Sequence, residues 1–316
     1  MSGQSRDASD IGDVIVAAAR TGPRLLAGGV IAAELRDKLT GDFAAFKETW
    51  GRSPTLAVVL VGADAPSAVY LRQILRTCEK VGAKGRLVEL GSDVTPDAVC
   101  DEIETLNVDS DVAGIIVQMP LPSHIPLHTV IDSIDPAKDI DGIHPRNAGL
   151  LSLGYDGFLP ATAQASVEIL KRSGIEIAGK RVVVIGRSNV VGKPAALLLM
   201  REHGTVTVLH SKTRDLAHHT RDAEILIVAA GKPGLVRGEM LSPGVVVVDV
   251  GINVVPDGRG GERLVGDVDY ESAKDVVAAI TPVPGGVGPL TNALLLTHLL
   301  QAATAQAKQA AWELTR

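Results

Sequence analysis

The sequence lacks long apolar runs and a cysteine framework, and each absence excludes a class of protein. No stretch of the 316 residues reaches the roughly 20 uninterrupted apolar residues that span a bilayer, so we expect no membrane partner. The only cysteines, Cys78 and Cys100, provide neither a disulfide framework nor the spacing of metal ligands. This usage favours a reducing cytoplasm and no bound metal.

Charge and aromatic content argue against nucleic acid as a partner. The formal net charge is -6 at pH 7 with both signs mixed along the chain, whereas binding to a phosphate backbone requires clustered Lys and Arg. Aromatic residues make up 3% of the chain, too few to form stacking platforms for bases. The chain starts without the basic segment and long apolar core of a secretory signal, so residues 1–24 are predicted to be an N-terminal extension.

Short β-branched runs alternate with helical patterns along the rest of the chain. Strands are predicted at 55–61, 86–90 and 113–117, and again at 181–185, 205–209, 225–229, 245–249 and 278–280. Helices are predicted at 66–82 and 95–106, and a long Ala- and Leu-rich helix at 291–314. Such alternation is typical of parallel sheets covered by helices, and the two series predict two α/β domains.

A glycine turn joins the predicted strand at 181–185 to a helical run. The strand RVVVI continues into GRSNVVGKP and then AALLLM, in the order strand, glycine turn, helix. Gly186 permits a tight turn, and Gly192 allows the helix to approach the strand, which leaves backbone N–H groups for a pyrophosphate. The spacing differs from G-x-G-x-x-G, and an ordinary strand–helix turn is the alternative. The context favours dinucleotide binding.

The residues after the next strand indicate which dinucleotide is bound. Many NAD enzymes carry Asp or Glu at this point, where the acid binds the ribose hydroxyls. Here the strand ends in HSKT, without an acid. Ser211 and Arg187, with Lys212 or Arg214, offer donors and positive charge to a 2′-phosphate, which favours NADP. The alternative is a rim of solvated cations.

Several other segments are candidates for a ligand cleft. Ser67, Tyr70 and Ile74 share one face of a helix, where the tyrosine can stack on a flat heterocycle. Gln118 follows a strand, at the end where α/β sheets bind ligands, although a lone glutamine is more often a loop hydrogen-bonder. Asp141 lies in the turn KDIDG, which is predicted to lead across the domain junction, with a solvated loop as the alternative. The block TPVPGGVGP suits close approach to a planar ligand, or is a rigid connector.

Taken together, Tyr70 and the blocks QMPLP, KDIDGIHPRNAG, GRSNVVGKP, HSKT and TPVPGGVGPLT resemble, in order, the bifunctional methylenetetrahydrofolate dehydrogenase/cyclohydrolase family. The similarity covers nearly the whole chain from Leu25. It implies a cleft between a folate-binding catalytic domain, residues 25–157 plus 291–316, and a Rossmann-like NADP-binding domain, residues 158–290. It also implies NADP as hydride acceptor, a tetrahydrofolate derivative as substrate and a homodimer.

The resemblance further implies roles for single residues. Tyr70, Gln118 and Asp141 are the catalytic and substrate-binding candidates. Tyr70 is expected to stack on the pterin, Gln118 to hydrogen-bond near the reacting carbon, and Asp141 to bind the pterin amino group. Pro284 and Gly285 line the same pocket. The cofactor-binding candidates are Gly186, Arg187, Ser188, Val191, Gly192, Ser211 and Ile252.

Two positions depart from the family pattern. The family's helix reads Tyr-x-x-x-Lys, and the position four after Tyr70 is Ile74, whose alkyl group cannot carry a proton. The resemblance implies that this lysine positions water in the cyclohydrolase step, so its absence implies weak or absent hydrolysis of the methenyl intermediate. Residues 160–163 read PATA where the family usually has PCTP. We therefore expect an NADP-dependent dehydrogenase, with full bifunctionality, a non-catalytic folate- or NADP-binding paralogue, and activity on another reduced pterin as alternatives.

Overall fold

The computed structural model describes residues 22–62, 65–258 and 260–315, and the side chains of residues 65–70, 72 and 73 lie outside this description. Most of the N-terminal extension expected at residues 1–24 also lies outside it. The strands are β1 (Arg24–Leu25), β2 (Thr55–Val61), β3 (Lys84–Leu90), β4 (Val112–Val117), β5 (Arg181–Ile185), β6 (Thr205–Leu209), β7 (Ile225–Val228), β8 (Val246–Asp249), β9 (Asn253–Pro256), β10 (Glu262–Val265) and β11 (Ala279–Ile280). The helices are α1 (Gly28–Trp50), α2 (Ala65–Val81), α3 (Pro96–Val108), α4 (Leu127–Asp132), α5 (Pro145–Leu153), α6 (Ala161–Arg172), α7 (Gly192–Arg201), α8 (Leu216–Arg221), α9 (Tyr270–Ala273) and α10 (Val287–Glu313), with a 3-10 turn at Gly238–Met240.

The first sheet has three parallel strands in the order β3-β2-β4. Its central strand is buried along its whole length, as expected for a parallel strand covered on both faces. Helices α1, α2 and α10 pack on one face, where Phe43, Leu71 and Leu299 are buried. Helices α3 and α4 cover the other face through Ile103 and Val130. The C-terminal helix therefore completes the first domain.

The second sheet has six parallel strands in the order β1-β11-β8-β7-β5-β6. Helices α6 and α7 and the start of α10 cover one face, and α9 with the segments after β7 covers the other. Strands β9 and β10 form a separate antiparallel hairpin. The expected fold class is confirmed: an α/β domain completed by the C-terminal helix is joined to a Rossmann-like α/β domain. Among the described helices, none has the length and apolar character that a membrane span requires.

The two ends of the described chain differ from the predicted boundaries. Arg24 and Leu25 lie on either side of the boundary expected for the extension, yet they pair with β11 and extend the nucleotide sheet. Helix α10 begins at Val287, before the start predicted at 291. The sequence predicts the Pro/Gly block wholly outside the helix, but Pro289 lies in the first turn of α10. Proline is tolerated there because a backbone N–H in the first turn has no partner within the helix.

Candidate functional site

The turn between β5 and α7 has the close packing that its glycines predict. Gly186 has a φ of 124°, and a Cβ there would lie 2.1 Å from the carbonyl oxygen of Ala229. A Cβ on Gly192, the first residue of α7, would lie 2.2 Å from the carbonyl oxygen of Gly186. No side chain fits at either position. The N-terminus of α7 is thereby held against the end of the strand, with its positive partial charge directed at the turn.

Ser188 occupies the donors at this helix start. Its hydroxyl oxygen accepts hydrogen bonds from the backbone N–H groups of Val191, at 3.1 Å, and Gly192, at 3.3 Å. Because a hydroxyl is a weaker acceptor than a phosphate oxygen, an anionic ligand competes well for the same donors. This arrangement is suited to a pyrophosphate.

Positive charge surrounds the end of the neighbouring strand β6. The Gly186 N–H donates to the carbonyl oxygen of Leu209 at 2.9 Å, so the glycine turn and the segment after β6 begin side by side. Arg187 and Ser211 are both exposed there, as are Lys212 and Arg214. In the described part of the chain no carboxylate forms an ion pair with these three cations. These cations beside the end of β6 are suited to a phosphate group.

Ile252 offers an apolar surface between the nucleotide sheet and α10. It lies in the loop after β8 and is 63% exposed. Its Cδ1 atom is 3.9 Å from the position that a Cβ on Gly288 would occupy, which places it beside the first turn of α10. An exposed isoleucine at such a junction can contact the flat face of a ring.

A carboxylate network that the sequence did not single out fixes the loops at this edge of the sheet. Asp267 is fully buried. It accepts backbone N–H bonds from Ala230 and Gly231, at 2.6 and 2.8 Å, and from Lys232 at 2.8 Å. The Asn253 amide adds a fourth bond at 2.9 Å. One side chain thus sets the path of the loop that follows β7.

Asp249 extends the network at the end of β8. Its carboxylate accepts from the backbone N–H groups of Gly251, Asp267 and Val268 at 2.9 to 3.0 Å. Burial raises the pKa of Asp249 to about 6, with backbone hydrogen bonds opposing the shift. The signal in the sequence is the glycine that directly precedes Asp267. A Cβ on this residue, Gly266, would lie 1.8 Å from an Asp249 oxygen.

In the first domain, Gln118 directly follows β4. Its backbone N–H donates to Val59 at 2.8 Å, and its side-chain nitrogen donates to the carbonyl oxygen of Met119 at 2.7 Å. The second bond fixes the amide group. Its oxygen has no donor among the described residues and can accept a hydrogen bond from a ligand.

Two carboxylates in the segment 138–142 have different environments. Asp139 is fully buried and accepts hydrogen bonds from the Ile143 and His144 backbone and from the Asn147 amide, so it holds the turn together. Asp141 is partly buried. Burial, and secondarily the charge of Asp139, raise the pKa of Asp141 to about 7, and a hydrogen bond from the Ala161 backbone opposes the shift. Burial raises the pKa of Asp139 as well, and the hydrogen bonds that it accepts from Asn147, His144 and Ile143 oppose that shift.

The turn at Asp141 lies at the junction of the two domains, as its sequence predicts. Gly142 has a φ of 70°, and a Cβ there would lie 2.4 Å from the carbonyl carbon of Leu159. The Ala161 N–H donates to the Asp141 carbonyl oxygen at 3.3 Å. The first residue of α6 therefore contacts the turn directly.

Pro284 and Gly285 lie between β11 and α10. Pro284 is exposed, and Gly285 has a φ of 107°. The Gly285 carbonyl oxygen accepts from the Gly29 N–H at 3.2 Å, so the start of α1 packs against this loop. The loop thus borders both domains.

Ile74 is a core residue. It is 4% exposed and belongs to an apolar cluster with Leu71 and Cys78 of the same helix. Burial raises the pKa of the Cys78 thiol, one turn along the same helix, to about 12. The Tyr70 side chain lies outside the described residues, so its stacking role stays a prediction.

Most of the candidate residues lie at the carboxyl ends of parallel strands, where ligands bind in α/β sheets. Gln118 follows β4, the glycine turn follows β5, Ser211 follows β6, Ile252 follows β8, and Pro284 follows β11. Asp141 lies beside the start of α6, where the Ala161 N–H donates to its carbonyl oxygen. No group of three or more His, Cys, Asp and Glu side chains suited to a metal occurs among the described residues.

Comparison with known proteins matches both domains. Residues 26–141 match the family described as tetrahydrofolate dehydrogenase/cyclohydrolase, catalytic domain, and residues 160–307 match its NAD(P)-binding domain. The bifunctional protein FolD of Aromatoleum aromaticum is 47% identical over 280 residues, which cover 89% of this chain and 96% of the relative.

Solved structures agree with this match. The N5,N10-methylenetetrahydrofolate dehydrogenase-cyclohydrolase of Trypanosoma brucei, complexed with NADP cofactor and an inhibitor, is 40% identical with a TM-score of 0.86 and covers 90% of this chain and 98% of its own. A 5,10-methylenetetrahydrofolate dehydrogenase from the silkworm Bombyx mori is 39% identical with a TM-score of 0.84, covering 90% of this chain and 99% of its own.

Proposed function

Because the chain belongs to the tetrahydrofolate dehydrogenase/cyclohydrolase family, we propose that it oxidises methylenetetrahydrofolate to methenyltetrahydrofolate with NADP and accelerates the following hydrolysis little or not at all. The observation that carries the second half of the proposal is Ile74, buried at the position where the family pattern has a lysine. The homodimer implied by the resemblance stays a prediction.

The nucleotide turn supports NADP as the cofactor. The space beside Gly186 and Gly192 admits no Cβ, and the backbone N–H groups at the start of α7 face a pyrophosphate position. Arg187 and Ser211 would hold the 2′-phosphate, and Ile252 would contact the nicotinamide ring. When bound, NADP accepts a hydride from the methylene carbon of the folate.

The other face of the cleft supports a reduced folate. Ionised Asp141 would accept hydrogen bonds from the pterin amino group and the adjacent ring N–H, while the Gln118 amide would bond near the reacting carbon. Pro284 and Gly285 would line the pocket, and Tyr70 would stack on the pterin. These contacts orient the methylene carbon, and orientation is what hydride transfer requires of a protein.

The two steps of the family's reaction place different demands on the position held by Ile74. Hydride transfer needs no proton from the protein. Hydrolysis of the methenyl carbon needs a water to be positioned and deprotonated, which is the role of a side chain that can donate and accept protons. An alkyl group that is 4% exposed among apolar neighbours can do neither.

The test is an assay of the native protein beside Ile74→Lys, with Ile74→Met as the matched control. Methionine reproduces the length of the lysine stem without its ammonium group. NADPH formation and decay of the methenyl absorbance are followed separately, against the spontaneous rate of decay. We expect NADPH from the native protein and the methionine variant without accelerated decay, and accelerated decay only from the lysine variant.

Two results would contradict the proposal. Accelerated decay by the native protein would mean that another group replaces the lysine and that the chain is fully bifunctional, as its relatives are named. Absence of NADPH formation by the native protein would leave a protein that binds folate or NADP without turnover. Thermal melting of all three proteins controls for the cost of a charged group in an apolar core.

A further inference from the structure

His298 is a buried titratable residue that the proposed reaction does not use. It lies in the middle of α10, is 4% exposed, and has the Phe158 ring at 5.6 Å. Both of its ring nitrogens have partners: Nδ1 is 2.8 Å from the carbonyl oxygen of Ile140, and Nε2 is 2.9 Å from the side-chain atom Oε1 of Gln164. A buried histidine with partners in two distant segments fixes those segments relative to each other.

The two partners of His298 lie on either side of Asp141. Ile140 immediately precedes Asp141 in the chain. Gln164 belongs to the first turn of α6, whose first residue, Ala161, donates its N–H to the carbonyl oxygen of Asp141 at 3.3 Å. The imidazole therefore holds the residue before the carboxylate and, through α6, the helix start that contacts Asp141 itself.

The proton positions follow from the chemistry of the partners. The Ile140 carbonyl can only accept, so Nδ1 must carry a proton. Burial lowers the pKa of His298, which favours the neutral ring. A neutral ring protonated on Nδ1 accepts at Nε2, and the Gln164 amide satisfies it by turning its NH2 group inward, since its oxygen and nitrogen exchange places by a half-turn. Both ring nitrogens are then satisfied, and the ring has one orientation.

We propose that His298 is a positioning residue that holds the Asp141 carboxylate in place for folate binding, through Ile140 on one ring nitrogen and Gln164 of α6 on the other. This inference rests on the proposed function, because it takes Asp141 as the group that binds the pterin. It assigns to α10 a role in substrate affinity in addition to its role in the core.

The experiment compares His298→Asn with His298→Gln. The amide nitrogen of asparagine reaches the place of Nδ1 and can still donate to Ile140, whereas the glutamine nitrogen reaches the place of Nε2 and leaves the Ile140 carbonyl unpaired. We expect the asparagine variant to keep the KM for methylenetetrahydrofolate within about twofold, and the glutamine variant to raise it about tenfold, the size expected for one buried hydrogen bond. The KM for NADP is expected to stay unchanged in both.

A folate KM that is the same in both variants and the native protein would overturn the inference, as would an equal rise in both KM values, which a merely structural role produces. If the glutamine variant does not fold, Gln164→Met decides in the same way: a rise in the folate KM alone supports the inference, and no change overturns it. Asp141→Asn runs in parallel. If the folate KM of Asp141→Asn equals that of the native protein, the proposed folate site is refuted. If Asp141→Asn raises the folate KM and the His298 variants do not, only the positioning role is refuted.

Discussion

The raised pKa of Asp141 makes the proposed dehydrogenase reaction sensitive to pH near neutrality. Burial and the neighbouring charge of Asp139 move the pKa of this carboxyl from 3.8 to about 7. A raised pKa in an acid means that the charged form is lost as pH falls through that higher value. If the ionised carboxylate binds the pterin donors, affinity for folate falls as pH falls through 7, whereas an aspartate of ordinary pKa would show no change there.

The size of the effect follows from the pKa. With a pKa of about 7, Asp141 is ionised in roughly 90% of molecules at pH 8 and roughly 10% at pH 6. We therefore expect kcat/KM for methylenetetrahydrofolate to be about tenfold lower at pH 6 than at pH 8. Because kcat/KM reports the free enzyme, the pKa of the unliganded protein is the relevant one.

The assay measures the initial rate of NADPH formation from pH 5.5 to pH 8.5. NADP is kept saturating, because its own 2′-phosphate titrates at about pH 6. Asp141→Asn serves as the control and should show a low, flat profile, since an amide does not titrate in this range. A flat profile for the native protein between pH 6 and pH 8, or an equal slope in the asparagine variant, would refute the reasoning.

Two further predictions concern the nucleotide turn. Gly192→Ala should abolish NADPH binding, followed by fluorescence titration, because its Cβ would lie 2.2 Å from the Gly186 carbonyl oxygen; Gly149→Ala, with no neighbour within 4 Å, is the matched control, and equal binding by both would contradict the packing argument. Arg187→Ala should raise the KM for NADP about tenfold, the loss expected for one charge-assisted hydrogen bond, and leave the KM for NAD unchanged. An equal rise for both dinucleotides would show that Arg187 does not contact the 2′-phosphate.

Buried parallel strands were predictable because they appear in sequence as short continuous apolar runs. Strands β2, β5 and β6 have the predicted bounds. The strand β1 was not predictable, since its two residues become a strand only by pairing with β11, far along the chain. The same holds for the hairpin β9-β10, whose exposed and half-buried residues form no apolar run. Local pattern thus predicts elements that are buried on both faces, and long-range pairing determines the rest.

The candidate site, like the fold, has features that local sequence predicts and features that depend on long-range contacts. The glycine turn was predictable because a strand, two glycines and a helix are contiguous and each glycine has a steric reason. Asp267 was not predictable, because its backbone partners in the loop after β7 lie 35 to 37 positions away in sequence. His298 contacts Ile140 across 158 positions. Side chains that fix loops are recognised only when the fold brings those loops together.

The nucleotide turn and a buried isoleucine at position 74 are compatible in one chain because the two reactions of the family need different groups. Removal of a hydride converts the neutral methylene bridge of the folate into a cationic methenyl bridge. A neutral alkyl side chain at position 74 neither repels that developing charge nor supplies a base to the water that would attack it. Under the proposed function, Asp141, Gln118 and the NADP turn would therefore support oxidation, and the cationic methenyl product would hydrolyse at its spontaneous rate.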